Sequence, residues 1–359
     1  MLAAMTEPPV HLRPVIADLP AYVPGKPASG VGRVFKLSSN ENPFPPLPGV
    51  LAAIADTAGE VNRYPDMYAT ELCAALARRH GVSPARVVVG CGSVAVLGHL
   101  LAVTCDPGDE VVYPWRSFEA YPIYVRLSGA TAVPVPVADD GRLDLPAMAA
   151  AVTERTRVVL VCTPNNPTGP AVRAAELEAF LDVVPRTVVV AIDEAYVEFV
   201  RDPEAPDVLA IAAARPNVVV LRTFSKAYGL AGLRVGYAVA EERVANALRV
   251  ASTPFGVSSV AQRAALAALA EDGEAQQRVD WIVAERDRVV AALRGQGWLL
   301  PDSQANFVWL ALGADTMARA QQAEAGGIVV RAFAGDGMRV TIGVVEANDL
   351  FLELAARWL

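Results

Sequence analysis

Six valine-rich runs follow one another through the middle of the chain, separated by stretches with helical periodicity. Continuous apolar runs of this length are typical of strands that are buried on both faces of a sheet. Their alternation with helices predicts an α/β fold with an open, mostly parallel sheet. In such sheets ligands bind at the carboxyl ends of the strands. The runs are RVVVG (86–90), DEVVYP (109–114), TAVPVPV (131–137), TRVVLVCTP (156–164), TVVVAIDEAY (187–196) and NVVVLRTF (217–224).

The pattern changes after about residue 245, where a long helical stretch at 273–297 precedes shorter strand and helix segments. We therefore predict a large α/β domain over residues 45–245 and a smaller α+β domain over 246–359. Residues 1–44 are rich in proline and glycine, and we expect them to form an arm that packs on the small domain or on a partner. A chain of 359 residues is long enough for two domains.

Composition excludes several classes of function. The net charge is −8 and basic residues do not cluster, which argues against a nucleic-acid partner. No apolar run is long enough to span a membrane, and the N-terminus lacks the features of a signal peptide, so we expect a cytoplasmic protein. The four cysteines lack metal-binding spacing and only three histidines are present, so we expect no metal site.

One lysine is conspicuous because lysine is so rare here. Of 31 basic residues only Lys26, Lys36 and Lys226 are lysines. Lys226 directly follows the last valine-rich run, within TFSKAYGLAGLRVGY (223–237). The alternative, a surface lysine with a partly buried stem, is weaker because this chain makes so little use of surface lysine.

Other strand ends also carry polar groups. GCGS (90–93) precedes a helix and could bind a phosphate through backbone amides, or form part of a dinucleotide fingerprint. The next strand lacks the terminal acid that a dinucleotide site needs. Asn166 follows one valine-rich run, and Asp193 and Tyr196 end another. Taken singly, Asn166 also fits an ordinary turn and Asp193 a helix N-cap. With Lys226 they form the set that pyridoxal phosphate requires: an amine for its aldehyde, an acid for its ring nitrogen, and an amide and a phenol for its ring oxygen.

Motifs from end to end resemble one enzyme family. The chain is similar to fold type I pyridoxal-phosphate aminotransferases of the histidinol-phosphate aminotransferase branch, and within it to the aromatic amino acid (phenylalanine) aminotransferases of actinobacteria. The ordered set is more specific than any member alone. It consists of YVPGK, SSNENPF, NRYPD, GCGSV, WRSFEAYP, PNNPTG, IDEAYVEF, TFSKAYGLAGLRVGY, SQANFVWL and RVTIG.

The resemblance implies roles for individual residues. Lys226 would form the Schiff base with the cofactor and later move the substrate's Cα proton, Asp193 would pair with the ring nitrogen, and Asn166 and Tyr196 would face the ring oxygen. Phosphate binding would come from Ser93, Val94, Thr223, Ser225 and Arg234. Phe118 would stack on the ring, and Tyr64 would reach the phosphate of a neighbouring subunit in a homodimer. The predicted substrate-binding residues are Arg339, which would clamp the substrate carboxylate, with Arg331, Tyr22 and Asn42.

Two departures bear on the substrate. Histidinol-phosphate enzymes carry an acid shortly after the first strand, whereas GCGSVAV has none, and PWRSFEAY replaces their usual turn. We therefore expect transamination of phenylalanine, tyrosine or tryptophan with 2-oxoglutarate, with histidinol phosphate as the alternative donor. A decarboxylase on the same scaffold, a nicotinamide dehydrogenase and a non-catalytic binding protein are further alternatives. The predicted wall around the substrate side chain consists of Tyr22, Trp115, Phe118, Tyr121 and Phe255.

Overall fold

A computed structural model describes residues 10, 12–19, 21, 25 and 34–359. Its strands are β1 (Phe35–Lys36), β2 (Val87–Gly90), β3 (Glu110–Trp115), β4 (Thr131–Pro136), β5 (Thr156–Cys162), β6 (Val189–Asp193), β7 (Val218–Thr223), β8 (Gly236–Val239), β9 (Phe307–Ala311), β10 (Ile328–Val329), β11 (Arg331–Phe333) and β12 (Gly337–Thr341). Its α-helices are α1 (Pro48–Thr57), α2 (Thr70–His80), α3 (Ser93–Thr104), α4 (Ala120–Ser128), α5 (Leu145–Ala150), α6 (Ala174–Val183), α7 (Val208–Ala214), α8 (Glu242–Ala251), α9 (Ser259–Ala270), α10 (Asp272–Gln296), α11 (Thr316–Ala325) and α12 (Val345–Ala355).

The central sheet has seven strands in the order β2-β8-β7-β6-β5-β3-β4. Each of the six valine-rich runs contains one of its strands, and neighbours from β7 to β4 pair in parallel. The predicted α/β class with a mostly parallel sheet is confirmed. The sequence pattern did not reveal β8, which inserts antiparallel between β2 and β7. It is short and comes after β7 without a crossover helix, so no alternation marks it.

Helices cover both faces of this sheet, which explains why its central strands are mostly apolar. On one face Val96, Leu97 and Leu100 of α3 pack with residues of α4 and α8. On the other face α1, α2, α5, α6, α7 and α9 contribute to a second apolar cluster. Burial on both sides holds the strand ends in fixed register, and these ends carry the functional side chains.

The C-terminal part of the chain adds a smaller sheet in the order β11-β12-β9, antiparallel throughout, and a short parallel pair of β1 with β10. A third apolar cluster joins α10 and α12 to this sheet and continues to Tyr196 and Ala227. Near the N-terminus, Arg13 Nη1 donates to the carbonyl of Leu127, at the end of α4. The arm thus contacts α4 at 12–19 and β10 at Phe35–Lys36. The division into domains at residues 44 and 245 stays a prediction.

Among the described residues, no helix combines the length and apolar character needed to cross a bilayer.

Candidate active site

A cavity of about 220 Å³ opens at the carboxyl ends of β5, β6 and β7. The last residue of each strand, Cys162, Asp193 and Thr223, lines it, and Arg331 and Arg339 approach from the smaller sheet. Most of the residues predicted to bind cofactor or substrate meet here. They are Ser93, Val94, Phe118, Asn166, Asp193, Tyr196, Thr223, Ser225, Lys226, Arg234, Arg331 and Arg339.

One end of the cavity is suited to an anion. Helix α3 begins at Ser93, after Gly92, whose φ of 81° lies in the left-handed region and which offers the first-turn amides no side-chain acceptor. These amides and the helix dipole favour a bound phosphate. A Cβ added at Gly92 would lie 2.8 Å from Arg234 Nη2, so the guanidinium lies directly beside the helix start. The Thr223 hydroxyl donates to Ser225 Oγ at 3.0 Å, which leaves the Ser225 hydroxyl proton available to an anion.

Lys226 follows β7 and occupies the middle of the cavity. Its Nζ donates to the carbonyl of Ser39 at 3.1 Å and lies 5.9 Å from the centre of the Tyr196 ring. Burial, reinforced by the positive charge of Arg339, lowers the pKa of Lys226 to about 7. A large fraction of this amine is therefore uncharged at neutral pH, and an uncharged amine can attack a carbonyl carbon.

Asp193 is a buried carboxylate with one oxygen unpaired. Oδ2 accepts a hydrogen bond from the Tyr121 hydroxyl at 2.9 Å, whereas Oδ1 has no partner among the described residues. Burial raises the pKa of Asp193 to about 6, and the Tyr121 hydrogen bond opposes that rise only in part. A buried, unpaired carboxylate oxygen is costly, and a cationic N–H donor in the cavity would remove the cost.

The phenol of Tyr196 is held in one orientation by Asn40. Asn40 Nδ2 donates to the Tyr196 hydroxyl at 2.9 Å, and Thr341 Oγ1 donates to Asn40 Oδ1 at 3.1 Å. Asn40 is 1% exposed and has a φ of 52°, a conformation that asparagine tolerates better than most residues. Since the phenol oxygen accepts from Asn40, its own proton is free to be donated elsewhere, and the cavity lies beside it.

Two arginines face the cavity from the smaller sheet. Arg339, 8% exposed, donates from Nη1 to Asn166 Oδ1 at 2.5 Å and from Nη2 to the carbonyl of Ser38 at 2.7 Å. Arg331 donates to Glu119 Oε2 from Nε at 3.1 Å and from Nη2 at 2.5 Å. The site therefore pairs an anion-binding end with a second cationic face, and the lysine and the buried acid lie between them.

A family model described as aminotransferase class I and II matches residues 32–350. The chain belongs to this family. A curated aromatic amino acid aminotransferase of Streptomyces avermitilis is 57% identical over 355 residues, 99% of each chain. One of the same name from Rhodococcus erythropolis is 52% identical over 345 residues, 96% of this chain and 95% of the relative. The predicted family and the aminotransferase activity are confirmed.

Solved aminotransferase structures confirm the fold type I prediction. The histidinol-phosphate aminotransferase of Sinorhizobium meliloti, solved in complex with pyridoxal-5′-phosphate, superposes with a TM-score of 0.87 at 31% identity. The match covers 97% of this chain and 98% of that one. The cavity of the present aminotransferase fits such a group: the unpaired Asp193 oxygen, the Lys226 amine and the helix start at Ser93 suit a pyridinium, an aldehyde and a phosphate respectively.

The structure corrects the predicted positions of several side chains. Asn42 lies outside the cavity, and its amide donates to the carbonyl of Ala227 at 3.0 Å, so it holds the lysine loop instead of lining the substrate side. Tyr121 is fully buried behind Asp193, and Trp115 faces a separate groove. Phe255 does not line the cavity of its own chain and packs against Tyr64 at 4.6 Å between ring centres, so its place opposite the substrate stays a prediction.

Two predicted residues cannot be placed in the cavity of a single chain. Tyr64 is 83% exposed and does not line it, so its predicted reach to a neighbouring subunit stays a prediction. Tyr22 lies outside the described residues. The roles assigned to the residues that do line the cavity also stay predictions.

Three residues of the site were missed by the sequence reasoning in the roles they have here. Asn40 orients Tyr196, Tyr121 supports Asp193, and Glu119 pairs with Arg331. Asn40 and Glu119 both fall within motifs that resemble the family, SSNENPF and WRSFEAYP, but nothing local to those motifs indicates the partner. Each partner is at least 72 residues away along the chain.

Proposed function

We propose that this aminotransferase uses pyridoxal 5′-phosphate to transfer the amino group of an aromatic L-amino acid to 2-oxoglutarate. The products are the aromatic 2-oxo acid and L-glutamate. The observation that carries the cofactor proposal is the unpaired, buried Asp193 oxygen in the same cavity as a lysine whose pKa is lowered to about 7. The names of the relatives from Streptomyces and Rhodococcus support aromatic donors.

The cofactor would be held at both ends. The amides at the start of α3, the Arg234 guanidinium and the hydroxyls of Thr223 and Ser225 would bind its phosphate, and Asp193 would accept from its ring N–H. When bound, pyridoxal phosphate supplies an electrophilic carbon for the amino group and a ring that withdraws electrons from the substrate's Cα. Phe118 would pack against that ring.

Proton handling falls to Lys226 and Tyr196. Lys226 Nζ, uncharged over much of the neutral range, would accept the proton of the substrate's Cα and return it. Tyr196 accepts from Asn40 and would therefore donate its own proton into the cavity, towards the cofactor's ring oxygen. Asn166 would face the same oxygen, with its amide fixed by the hydrogen bond from Arg339.

Substrate recognition would begin at the α-carboxylate. Arg339 is buried and already oriented by two hydrogen bonds to neutral oxygens, so the protein itself fixes the direction of its guanidinium. A bidentate guanidinium–carboxylate contact is strong and directional.

The active unit is proposed to be a cytoplasmic homodimer. Leu51, Val61, Tyr64, Met67 and Tyr68 are all exposed. Exposed aromatic and aliphatic side chains in this number favour contact with another protein surface. Tyr64 would then reach the phosphate end of the partner's cavity.

Histidinol phosphate is the second candidate donor, supported by the similarity to the Sinorhizobium meliloti structure. A competition assay distinguishes the two candidate donors. Phenylalanine and histidinol phosphate are supplied at equal concentration with 2-oxoglutarate, and the consumption of each donor is measured over time. We expect phenylalanine to be consumed first, because the relatives that are 57% and 52% identical to this chain are named aromatic amino acid aminotransferases, whereas the histidinol-phosphate enzyme is 31% identical. Earlier consumption of histidinol phosphate would assign the chain to that substrate instead.

A further inference from the structure

Arg331 and Arg339 are direct cross-strand neighbours. In the antiparallel pair of β11 with β12, Arg331 lies opposite Arg339. Directly opposed residues project from the same face of a sheet, and like charges in that position repel. Both guanidinium-bearing residues line the cavity. The register thus presents two cationic groups side by side to any substrate, a spacing suited to two carboxylates on one small molecule.

The two arginines have different kinds of partner. Arg339 donates to the neutral oxygens of Asn166 and Ser38, whereas Arg331 donates twice to one carboxylate oxygen of Glu119. A second substrate carboxylate can bind the same edge of Arg331 only if the Glu119 carboxylate moves away from it.

Glu119 is the more exposed half of its pair. Its side chain is 29% exposed, compared with 11% for Arg331, so the carboxylate can turn towards water while the guanidinium stays in the cavity. Removal of one partner from a buried ion pair is strongly unfavourable because a charge is left unpaired. Replacement of one carboxylate by another avoids that penalty.

We propose that Glu119 determines specificity by acting as an internal carboxylate that exchanges with the side-chain carboxylate of a dicarboxylic substrate. With an aromatic substrate bound, Glu119 keeps Arg331 neutralised beside the ring. With glutamate or 2-oxoglutarate bound, the substrate's second carboxylate takes Arg331 and Glu119 turns to solvent. One site thereby accepts both the aromatic substrate and the dicarboxylic substrate of the amino-transfer reaction. The inference rests on the proposed function, which requires both substrate classes in the same cavity.

Two unreactive ligands test the exchange by binding alone. Glutarate carries two carboxylates, and 3-phenylpropanoate carries one carboxylate and a phenyl ring; neither has an amino or oxo group. Each is titrated calorimetrically into the cofactor-loaded enzyme. Glu119→Gln keeps the shape but removes the competing charge, so we expect the Kd ratio of 3-phenylpropanoate to glutarate to rise about tenfold. Arg331→Gln should lower the same ratio by a similar factor, chiefly through lost glutarate affinity.

Matched controls separate this role from a structural one. Asp182→Asn also removes a carboxylate from an arginine pair, with Arg215 at 2.5 Å, but lies on α6 and not in the cavity. It should leave the ratio unchanged. When Arg331 has already been replaced by glutamine, adding Glu119→Gln should not change the Kd for glutarate any further. The proposal is overturned if Glu119→Gln leaves the ratio unchanged or weakens both ligands equally.

The same experiment distinguishes the inference from its premise. If the unmodified enzyme neither binds 3-phenylpropanoate nor transaminates phenylalanine, the proposed aromatic function fails, and the inference fails with it. If the enzyme does both and Glu119→Gln does not change the ratio, only the exchange at Arg331 is refuted.

Discussion

Replacement of Asp193 by asparagine tests the cofactor proposal with and without the cofactor. In the absence of a bound group, Asp193 Oδ1 is unpaired and burial raises the carboxyl's pKa from 3.8 to about 6. At ~1.4 kcal/mol per tenfold change in proton affinity, the charged carboxylate destabilises the folded, cofactor-free protein by about 3 kcal/mol at pH 7.5. An asparagine side chain carries no charge and should relieve most of this cost.

The sign of the pH dependence follows from the same shift. The folded protein binds the Asp193 proton more tightly than the unfolded chain does. The contribution of Asp193 to the free energy of unfolding therefore falls as the pH rises from about 4 to about 6, and it stays low above that range. In the cofactor-free form, Asp193→Asn should melt at a higher temperature than the parent at pH 7.5 and at nearly the same temperature at pH 4.

Cofactor binding should reverse the order of stability. A protonated ring nitrogen provides an ionic partner for the Asp193 carboxylate but not for an asparagine amide, so the loaded variant should gain less stability from the cofactor. The kcat of Asp193→Asn should fall by about 100-fold or more, because the ring loses its charged partner and each ~1.4 kcal/mol lost from stabilisation of the reacting complex costs a factor of ten. Cofactor affinity should fall much less, since the phosphate contacts are unchanged.

The assays are thermal melting of both forms across pH and steady-state transamination. Asp182→Asn, at the surface on α6, is the control for the loss of one carboxylate. If Asp193→Asn retained near-parental kcat, the pairing with the ring nitrogen would be refuted. If it melted no higher than the parent at pH 7.5 without cofactor, the argument from the unpaired oxygen would be wrong.

Three further predictions concern single positions around the cavity. Lys226→Ala should lose transamination and borohydride-fixable cofactor, and Lys226→Arg should also fail because a guanidinium stays protonated; fixation of cofactor to Lys226→Ala would exclude this lysine. Mixed Tyr64→Phe and Lys226→Ala subunits should regain activity, because each heterodimer has one site with neither change; heterodimers without activity would argue against a shared site. Asn40→Asp should reverse the hydrogen bond with the Tyr196 phenol and shift the pH at which the bound cofactor's visible absorption changes. That shift should vanish in a Tyr196→Phe background, and its persistence there would refute the link.

The sequence alone determined six of the seven strands of the large sheet and the functional groups at their ends. Apolar runs report burial on both faces, and the strand-end rule places Asp193, Thr223 and Lys226 at one edge because parallel strands share a direction. These inferences depend only on local pattern. Recognition of the family came from ordered motifs and added the predicted roles of Arg339 and Arg234.

The tertiary structure decided which side chains meet. Asn40 and Tyr196 are 156 residues apart, and Glu119 and Arg331 are 212 residues apart. Periodicity carries no information about such pairs, because they are set by how the smaller sheet packs over the strand ends. Packing of α4 against the large sheet places Tyr121 behind Asp193 and not in the expected substrate wall. Its buried hydroxyl there donates to the Asp193 carboxylate, as a buried polar group requires.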